Sequence, residues 1–225
     1  MTDKKHTHDP LNLDEAMSSS EAFLIKYKNR FLGGVAAVVI LIGGYMGYKH
    51  FIAEPKEEKA TEALFRGEEY FDDGNYDLAL NGDSLGYKGF INVANEFSGT
   101  DAGNLANAYA GISLAQLGKY DEAIKYLDKF SADDQLISPA ILGTIGNCYA
   151  QIGQLDKAAA TLMKAADKAD SQALSPIYLI QAGEIFEKQG KNAEAVNAYK
   201  LIKDKYFESY QSMDIDKYIE RASIK

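Results

Sequence analysis

Hydrophobic positions follow two distinct patterns along this chain. Over residues 31–48 the sequence reads FLGGVAAVVILIGGYMGY, without a charged side chain, bracketed by Lys26, Lys28 and Arg30 before it and by Lys49 and His50 after it. Coiled into a helix, such a run is about 27 Å long, close to the roughly 30 Å hydrocarbon core of a bilayer. A core helix of a globular domain seldom lacks polar residues on every face, and the flanking bases are placed to reach head groups, so the run is read as a membrane span. A cleaved leader would need a short basic start and a small-residue cleavage site after the run. Here thirty residues precede the run, and Phe51, Ile52 and Ala53 come after it. The expectation is therefore an uncleaved signal anchor.

Beyond residue 60 the apolar residues recur with helical spacing, and the pattern repeats itself. Three blocks align: NAYAGISLAQLGKYDEAIKYLDKF from Asn107, LGTIGNCYAQIGQLDKAAATLMKA from Leu142 and LIQAGEIFEKQGKNAEAVNAYKLI from Leu179. Their first glycines, Gly111, Gly146 and Gly183, are followed seven residues later by Gly118, Gly153 and Gly190, and five residues after those by Ala123, Ala158 and Ala195. Sterics explain the pattern. The first Gly and the Ala suit the closest approach of two antiparallel helices, the second Gly suits the turn between them, and Leu114, Tyr149 and Phe186 fill the space between layers.

An irregular unit precedes these three. Gly67, Tyr70, Gly74, Tyr76 and Ala79 hold the same relative positions, but Gly67 lies 44 residues before Gly111. The excess is assigned to an insertion around Asn81 to Gly86, after which GFINVANEF resumes a helical pattern; the unit is read as a cap or as a site. At the far end a final helix is predicted after Ser212 or Asp214, with Ile215, Tyr218, Ile219 and Ala222 on the face that covers the last repeat.

Charge divides the chain the same way. Residues 1–48 hold five bases (Lys4, Lys5, Lys26, Lys28, Arg30) and five acids (Asp3, Asp9, Asp14, Glu15, Glu21), so the net charge of −9 falls wholly on residues 49–225. An acidic surface of this kind excludes a general nucleic-acid binder and is repelled by anionic lipid. The five bases before the span face Lys49, Lys56 and Lys59 after it, a bias that favours a cytoplasmic amino terminus. The polar stretch up to Leu13 is expected to be a disordered tail, with His6 and His8 solvated. Ser18 and Glu21 have capping-box spacing, which predicts a helix from near Ser20 running into the span. Glu54-Pro-Lys-Glu-Glu-Lys is read as a short charged linker broken at Pro55. Within the span Gly33, Ala36, Ala37, Gly43, Gly44 and Gly47 fall largely on one stripe, with Gly43 and Gly47 forming a GxxxG. That is read either as a face for docking another helix or as the ordinary abundance of Gly in membrane helices.

The Gly, Gly, Ala spacing resembles the tetratricopeptide repeat, a helix, tight turn and second helix of 34 residues. The resemblance implies an all-α chain: a single N-terminal transmembrane helix, then a tetratricopeptide-repeat α-solenoid of about four helix pairs plus a C-terminal capping helix. The expected segments are a tail (1–19), a signal-anchor helix (20–52), a linker (53–59) and a repeat domain (60–225). Such arrays bind peptides or domains in a concave groove lined by the first helix of each unit. The usual lining positions correspond to Leu64, Glu68 and Phe71, then Leu105, Ala108 and Ile112, then Asn147 and Gln151, then Ile177, Ile180, Glu184 and Lys188. A carboxylate clamp would need converging Lys, Arg and Asn, and only Asn147 matches. No catalytic constellation is evident, because the three histidines lie far from Cys148, which is read as a small buried filler. No enzyme activity, metal or cofactor is expected.

The SEAFLIKYK leader from Ser20, the span, and the ALFRGEEYF, AGISLAQLGKYDEAIKYL and IGNCYAQIGQLDKAA stretches together are similar to the YfgM type of bacterial inner-membrane protein. That resemblance implies a single-pass protein with a periplasmic repeat domain, acting as an ancillary subunit of the SecY-type translocon. Its implied partners are a PpiD-like membrane prolyl isomerase and unfolded secretory or outer-membrane proteins being handed to chaperones. The competing reading is a scaffold for envelope assembly or cell division.

Overall fold

The computed structural model describes residues 13–224, with side chains described from residue 26 onward. All regular structure among the described residues is helical. The chain divides into two compact units, with the boundary between Pro55 and Lys56.

The first unit is dominated by α1 (Leu13–Tyr48), followed by a π-helical turn over Lys49–Ala53. Among the described residues one continuous helical stretch, Lys26–Asp72, is long and apolar enough to cross a membrane, with a mean hydropathy of 1.8 over its most apolar window and none of that window buried. Two expectations change. The helix is already formed at Leu13, well before Ser20, because Leu13-Asp-Glu-Ala-Met combines good helix formers with acids that suit a helix start. The presumed linker is also helical: α2 spans Glu54–Asp72 and takes Pro55 in its first turn, where a missing N–H costs nothing. The tail before Leu13, including His6 and His8, lies outside the described residues.

The second unit is a stack of helix pairs. The regular pairs are α5 (Asp101–Gln116) with α6 (Tyr120–Leu127), α7 (Ile137–Gln151) with α8 (Leu155–Ala169), and α9 (Ser175–Lys188) with α10 (Asn192–Lys205). In the first pair α2 faces a second helix broken into α3 (Tyr76–Asn81) and α4 (Phe90–Glu96). A short 3₁₀ turn (Tyr210–Asp214) leads to α11 (Ile215–Ile224), which closes the array.

One turn serves all four pairs. Gly74, Gly118, Gly153 and Gly190 have φ of 74°, 74°, 76° and 72°, a left-handed conformation that side chains resist. The next N–H in each case closes back on the helix before it: Asn75 to the Tyr70 carbonyl at 2.8 Å, Lys119 to Leu114 at 2.8 Å, Gln154 to Tyr149 at 2.9 Å and Lys191 to Phe186 at 2.9 Å.

The first glycine of each pair sits where the two helices touch. A β-carbon would stand 2.5 Å from Leu127 Cγ at Gly111, 2.8 Å from Leu162 Cγ at Gly146 and 2.5 Å from Tyr199 Cζ at Gly183. Leu127, Leu162 and Tyr199 are fully buried, each burial being worth about 1.5–3 kcal/mol. In the first pair the sixteen-residue offset that supplies these side chains falls on Asp83, so Phe90 and Tyr87 take the place, Phe90 Cζ lying 2.7 Å from a β-carbon on Gly67.

The insertion that causes this shift is a cinched loop. Asp83 accepts hydrogen bonds from the Tyr70 hydroxyl at 2.6 Å and from the Leu85 and Tyr87 N–H groups at 2.8 and 2.9 Å, and Tyr87 donates its hydroxyl to the Ala79 carbonyl at 2.9 Å. The Tyr70 bond first, and then the backbone donors, hold the Asp83 carboxyl below the ordinary carboxylate range. Glu57 fixes the beginning of the array, accepting from the Asp101 and Ala102 N–H groups at 2.8 Å each, so its charge neutralises the start of α5.

Candidate functional site

The first helices of the three regular pairs, α5, α7 and α9, line a groove with a cavity of about 330 Å³. From α5 come Leu105, Ala108, Tyr109 and Ile112; from the start of α7 come Leu136, Ile137, Ala140 and Ile141; from α9 come Leu174 and Tyr178. Two tyrosine hydroxyls are the only polar side-chain groups in that lining. Leu136 is 66% exposed and Ile137 47%, so two large apolar side chains stand in solvent at the rim.

Local chemistry holds them there. The Asp134 carboxylate accepts from the Leu136 N–H at 2.7 Å, the Ile137 N–H at 2.5 Å and the Ser138 N–H at 3.1 Å, satisfying donors that the start of α7 leaves free. Those bonds, the Leu136 one foremost, bring its pKa down to about 2. Ser138 completes the turn by donating its hydroxyl to the Ala132 carbonyl at 2.7 Å.

One wall of the groove is backed by aromatic rings. Tyr109 stacks on Phe90 at 5.0 Å and meets the edge of Phe71 at 5.0 Å. The Glu68 and Asp72 carboxylates act on its hydroxyl. Burial first, then the Glu68 carboxylate, push the Tyr109 pKa up to about 12.

Of the residues assigned to the groove from sequence, Leu105, Ala108 and Ile112 meet in this cavity. Leu64 does not: it is 5% exposed and belongs to the core, because the broken second helix of its pair brings Phe90 and Val93 into the same buried cluster. Phe71 supports the wall from behind, and Glu68 stands beside Tyr109. Asn147, Gln151, Ile177, Glu184 and Lys188 are not buried in the core, with Glu184 and Lys188 sharing a shallow depression with Arg221, while Ile180 is half-buried against the last core cluster.

Tyr109, Leu136, Ile137, Ala140, Ile141, Leu174 and Tyr178 also line the cavity, at positions the usual groove pattern does not mark. Only Ala140 carries a sequence signal, lying six residues before Gly146 as Leu105 lies six before Gly111. Of the small-residue stripe on α1, Gly33, Ala36, Ala37, Gly43 and Gly44 are exposed and Gly47 is half-buried, and a β-carbon on any of its glycines would meet nothing within 4 Å.

Other features carry less. A cleft of about 210 Å³ beside α2 and α4 is lined by Lys59, Arg66 and Lys88 together with Glu62 and Glu96, and Lys88 is bonded to Glu96 across it at 2.9 Å. Cys148 is 2% exposed and burial raises its thiol to about 11, which leaves it unreactive at neutral pH. The described residues contain no group of three or more His, Cys, Asp or Glu able to hold a metal ion.

Comparison with known proteins agrees with this architecture. The tetratricopeptide repeat profile matches residues 114–175, from the end of α5 to the start of α9. No curated protein matches the chain by sequence. Among solved structures, the nearly identical TPR-like repeats of a Podosopora anserina chain described as a putative kinesin light chain superpose with a TM-score of 0.54 at 12% identity, covering 75% of this chain and 87% of that one. A point variant of the same repeats gives a TM-score of 0.54 over 75% of this chain and 86% of its own. The second unit is thus a TPR-like helical solenoid.

Proposed function

We propose that the chain is a membrane-anchored interaction module, non-catalytic, that presents the α5/α7/α9 groove to a protein partner on the far side of the bacterial inner membrane from its amino terminus. The observation that carries this reading is the groove itself, an apolar surface open on the interaction face of a TPR-like array. Anchoring is supported by the unburied apolar window of α1, and orientation by the excess of bases before it.

The finer reading, drawn from the YfgM resemblance, is an ancillary subunit of the Sec translocon. There the groove would receive a PpiD-like prolyl isomerase or the unfolded secretory chain, and the small-residue stripe of α1 would dock on a multi-pass partner. Purification of the full chain from membranes in mild detergent, followed by mass spectrometry, tests it. Co-recovery of SecY and a prolyl isomerase is expected. Recovery of only cell-division or outer-membrane assembly proteins overturns the translocon reading in favour of an envelope scaffold.

A further inference from the structure

We propose that the closing segment of the array carries an interaction surface of its own, an apolar stripe of Phe207, Tyr210 and Met213 through which two copies of the chain pair. The stripe comes from a three-residue period. Tyr210–Asp214 is a 3₁₀ turn, in which side chains three residues apart stand one above the other. Tyr206, Ser209 and Ile215 are buried against the array, and one residue after the first two come Phe207 and Tyr210. Phe207, Tyr210 and Met213 are 64%, 81% and 78% exposed. The remaining stripe, Glu208, Gln211 and Asp214, is polar, as the outer face of a terminal repeat must be to stay soluble. Large apolar side chains therefore break that rule on one outward face alone. The segment is fixed in place: the Ser212 hydroxyl donates to the Phe207 carbonyl at 2.7 Å, and the Ser209 hydroxyl accepts from the Ser212 N–H at 3.2 Å.

Charge and area point to a second copy as the occupant. Residues 49–198 carry 13 bases and 23 acids, whereas residues 199–225 carry six bases and five acids, so two copies can meet at this end without setting acid against acid. Four of the six bases are already matched: Lys203 with Asp216 at 2.6 Å, Lys205 with Asp170 at 2.8 Å, Lys217 with Asp214, and Arg221 with Glu187 at 2.5 Å. That leaves little to hold an anionic membrane surface, which takes a cluster of bases, or to steer a charged foreign protein. The three side chains keep on the order of 400 Å² in water, about half of the roughly 800 Å² that each partner buries in a stable complex, which suits a weak, concentration-dependent dimer. In a two-fold contact both copies use the same patch. With the stripes fully overlapped, the middle residue meets its own copy whichever way the axis runs, so Tyr210 packs on Tyr210 of the second copy.

Sedimentation velocity on the full chain in density-matched detergent tests the pairing. Monomer should give way to dimer as the concentration is raised through roughly 10–100 µM. Tyr210→Asp combined with Met213→Asp should weaken the dimer by about a hundredfold or more, by setting unpaired charge in a desolvated contact. The thermal melt of that variant should not move, since both side chains stand in solvent. Tyr210→Cys should close into a disulfide-linked dimer under mild oxidation by oxygen and copper, and Leu85→Cys, comparably exposed on the Asn81 to Gly86 insertion, should not. A chain that stays monomeric over the whole range overturns the proposal and leaves the stripe for a foreign protein or the membrane surface. A dimer that survives the Tyr210→Asp and Met213→Asp changes overturns it too, because the contact then lies elsewhere, as on the small-residue stripe of α1. So does cross-linking no faster at Tyr210→Cys than at Leu85→Cys.

Discussion

Tyr178 occupies the space that any side chain on Gly143 would need: a β-carbon there would stand 2.5 Å from Tyr178 Cε1. Gly143 belongs to α7 and Tyr178 to α9, so this glycine sets the distance between neighbouring units and shapes the end of the groove. Gly143→Ala should therefore displace the ring, cost about 1–3 kcal/mol by overpacking and weaken groove ligands. Thermal melts and peptide anisotropy on one variant check both effects. The control is Gly34→Ala on α1, where a β-carbon meets nothing within 4 Å and the melt of the repeat domain should not move.

Gly143 also marks where the repeat pattern stops being informative. The repeat turns were legible, because Gly74, Gly118, Gly153 and Gly190 answer a local demand for positive φ that spacing alone reveals. The spacing of Gly111, Gly146 and Gly183 also marked where two helices touch, although the side chains they meet, Leu127, Leu162 and Tyr199, lie one turn beyond the alanines that the pattern singles out. Gly143 meets a residue of the next unit, and Leu136 and Ile137 precede the periodic part of α7, so neither follows from the repeat. Leu64 was misplaced because its fate depends on Phe90, which reaches it only through the insertion. The helix through Pro55 was missed because a proline in a first turn and a proline that breaks a helix look alike in sequence.

At the repeat turns, Gly153→Ala should cost about 1–2 kcal/mol through left-handed strain alone, since nothing lies within 4 Å of the added carbon. Gly146→Ala should cost a similar amount for a different reason, contact at 2.8 Å with Leu162 Cγ. Pairing each with Leu162→Ala separates them. The second site should partly rescue Gly146→Ala and should add independently to Gly153→Ala, as read from chemical denaturation midpoints.

Acid should loosen the rim of the groove before it unfolds the array. The Asp134 pKa is lowered from 3.8 to about 2, so its bonds to the start of α7 stabilise the fold fully above pH 3.8 and are lost as pH falls towards 2. Amide exchange at Leu136 and Ile137 should rise over that window while α10 remains protected. In Asp134→Asn the fast exchange should be present already at pH 7 and its acid dependence should flatten; an unchanged acid limb would show that another carboxylate controls the rim.

The closing helix is held by charge as well as by packing, and the two can be distinguished. Arg221 forks onto Glu187, with Nη2 at 2.5 Å from Oε1 and Nε at 3.1 Å from both oxygens, while Tyr199 donates its hydroxyl to the same Oε1 at 2.8 Å. The Glu187 side chain is only 7% exposed, so removing Arg221 leaves a shielded carboxylate with less to neutralise it; the half-exposed guanidinium limits the cost to about 1–2 kcal/mol. Units of a linear array contact only their neighbours, so the damage should stay local. Arg221→Ala is expected to raise amide exchange in α11 and α10 and leave α5 and α6 unchanged, whereas Ala222→Asp, which disrupts the fully buried face of α11, should release the helix altogether and expose Ile202 and Tyr199 beneath it. Equal acceleration across all four pairs in Arg221→Ala would mean that the array unfolds as one cooperative body and that its cap stabilises every unit alike.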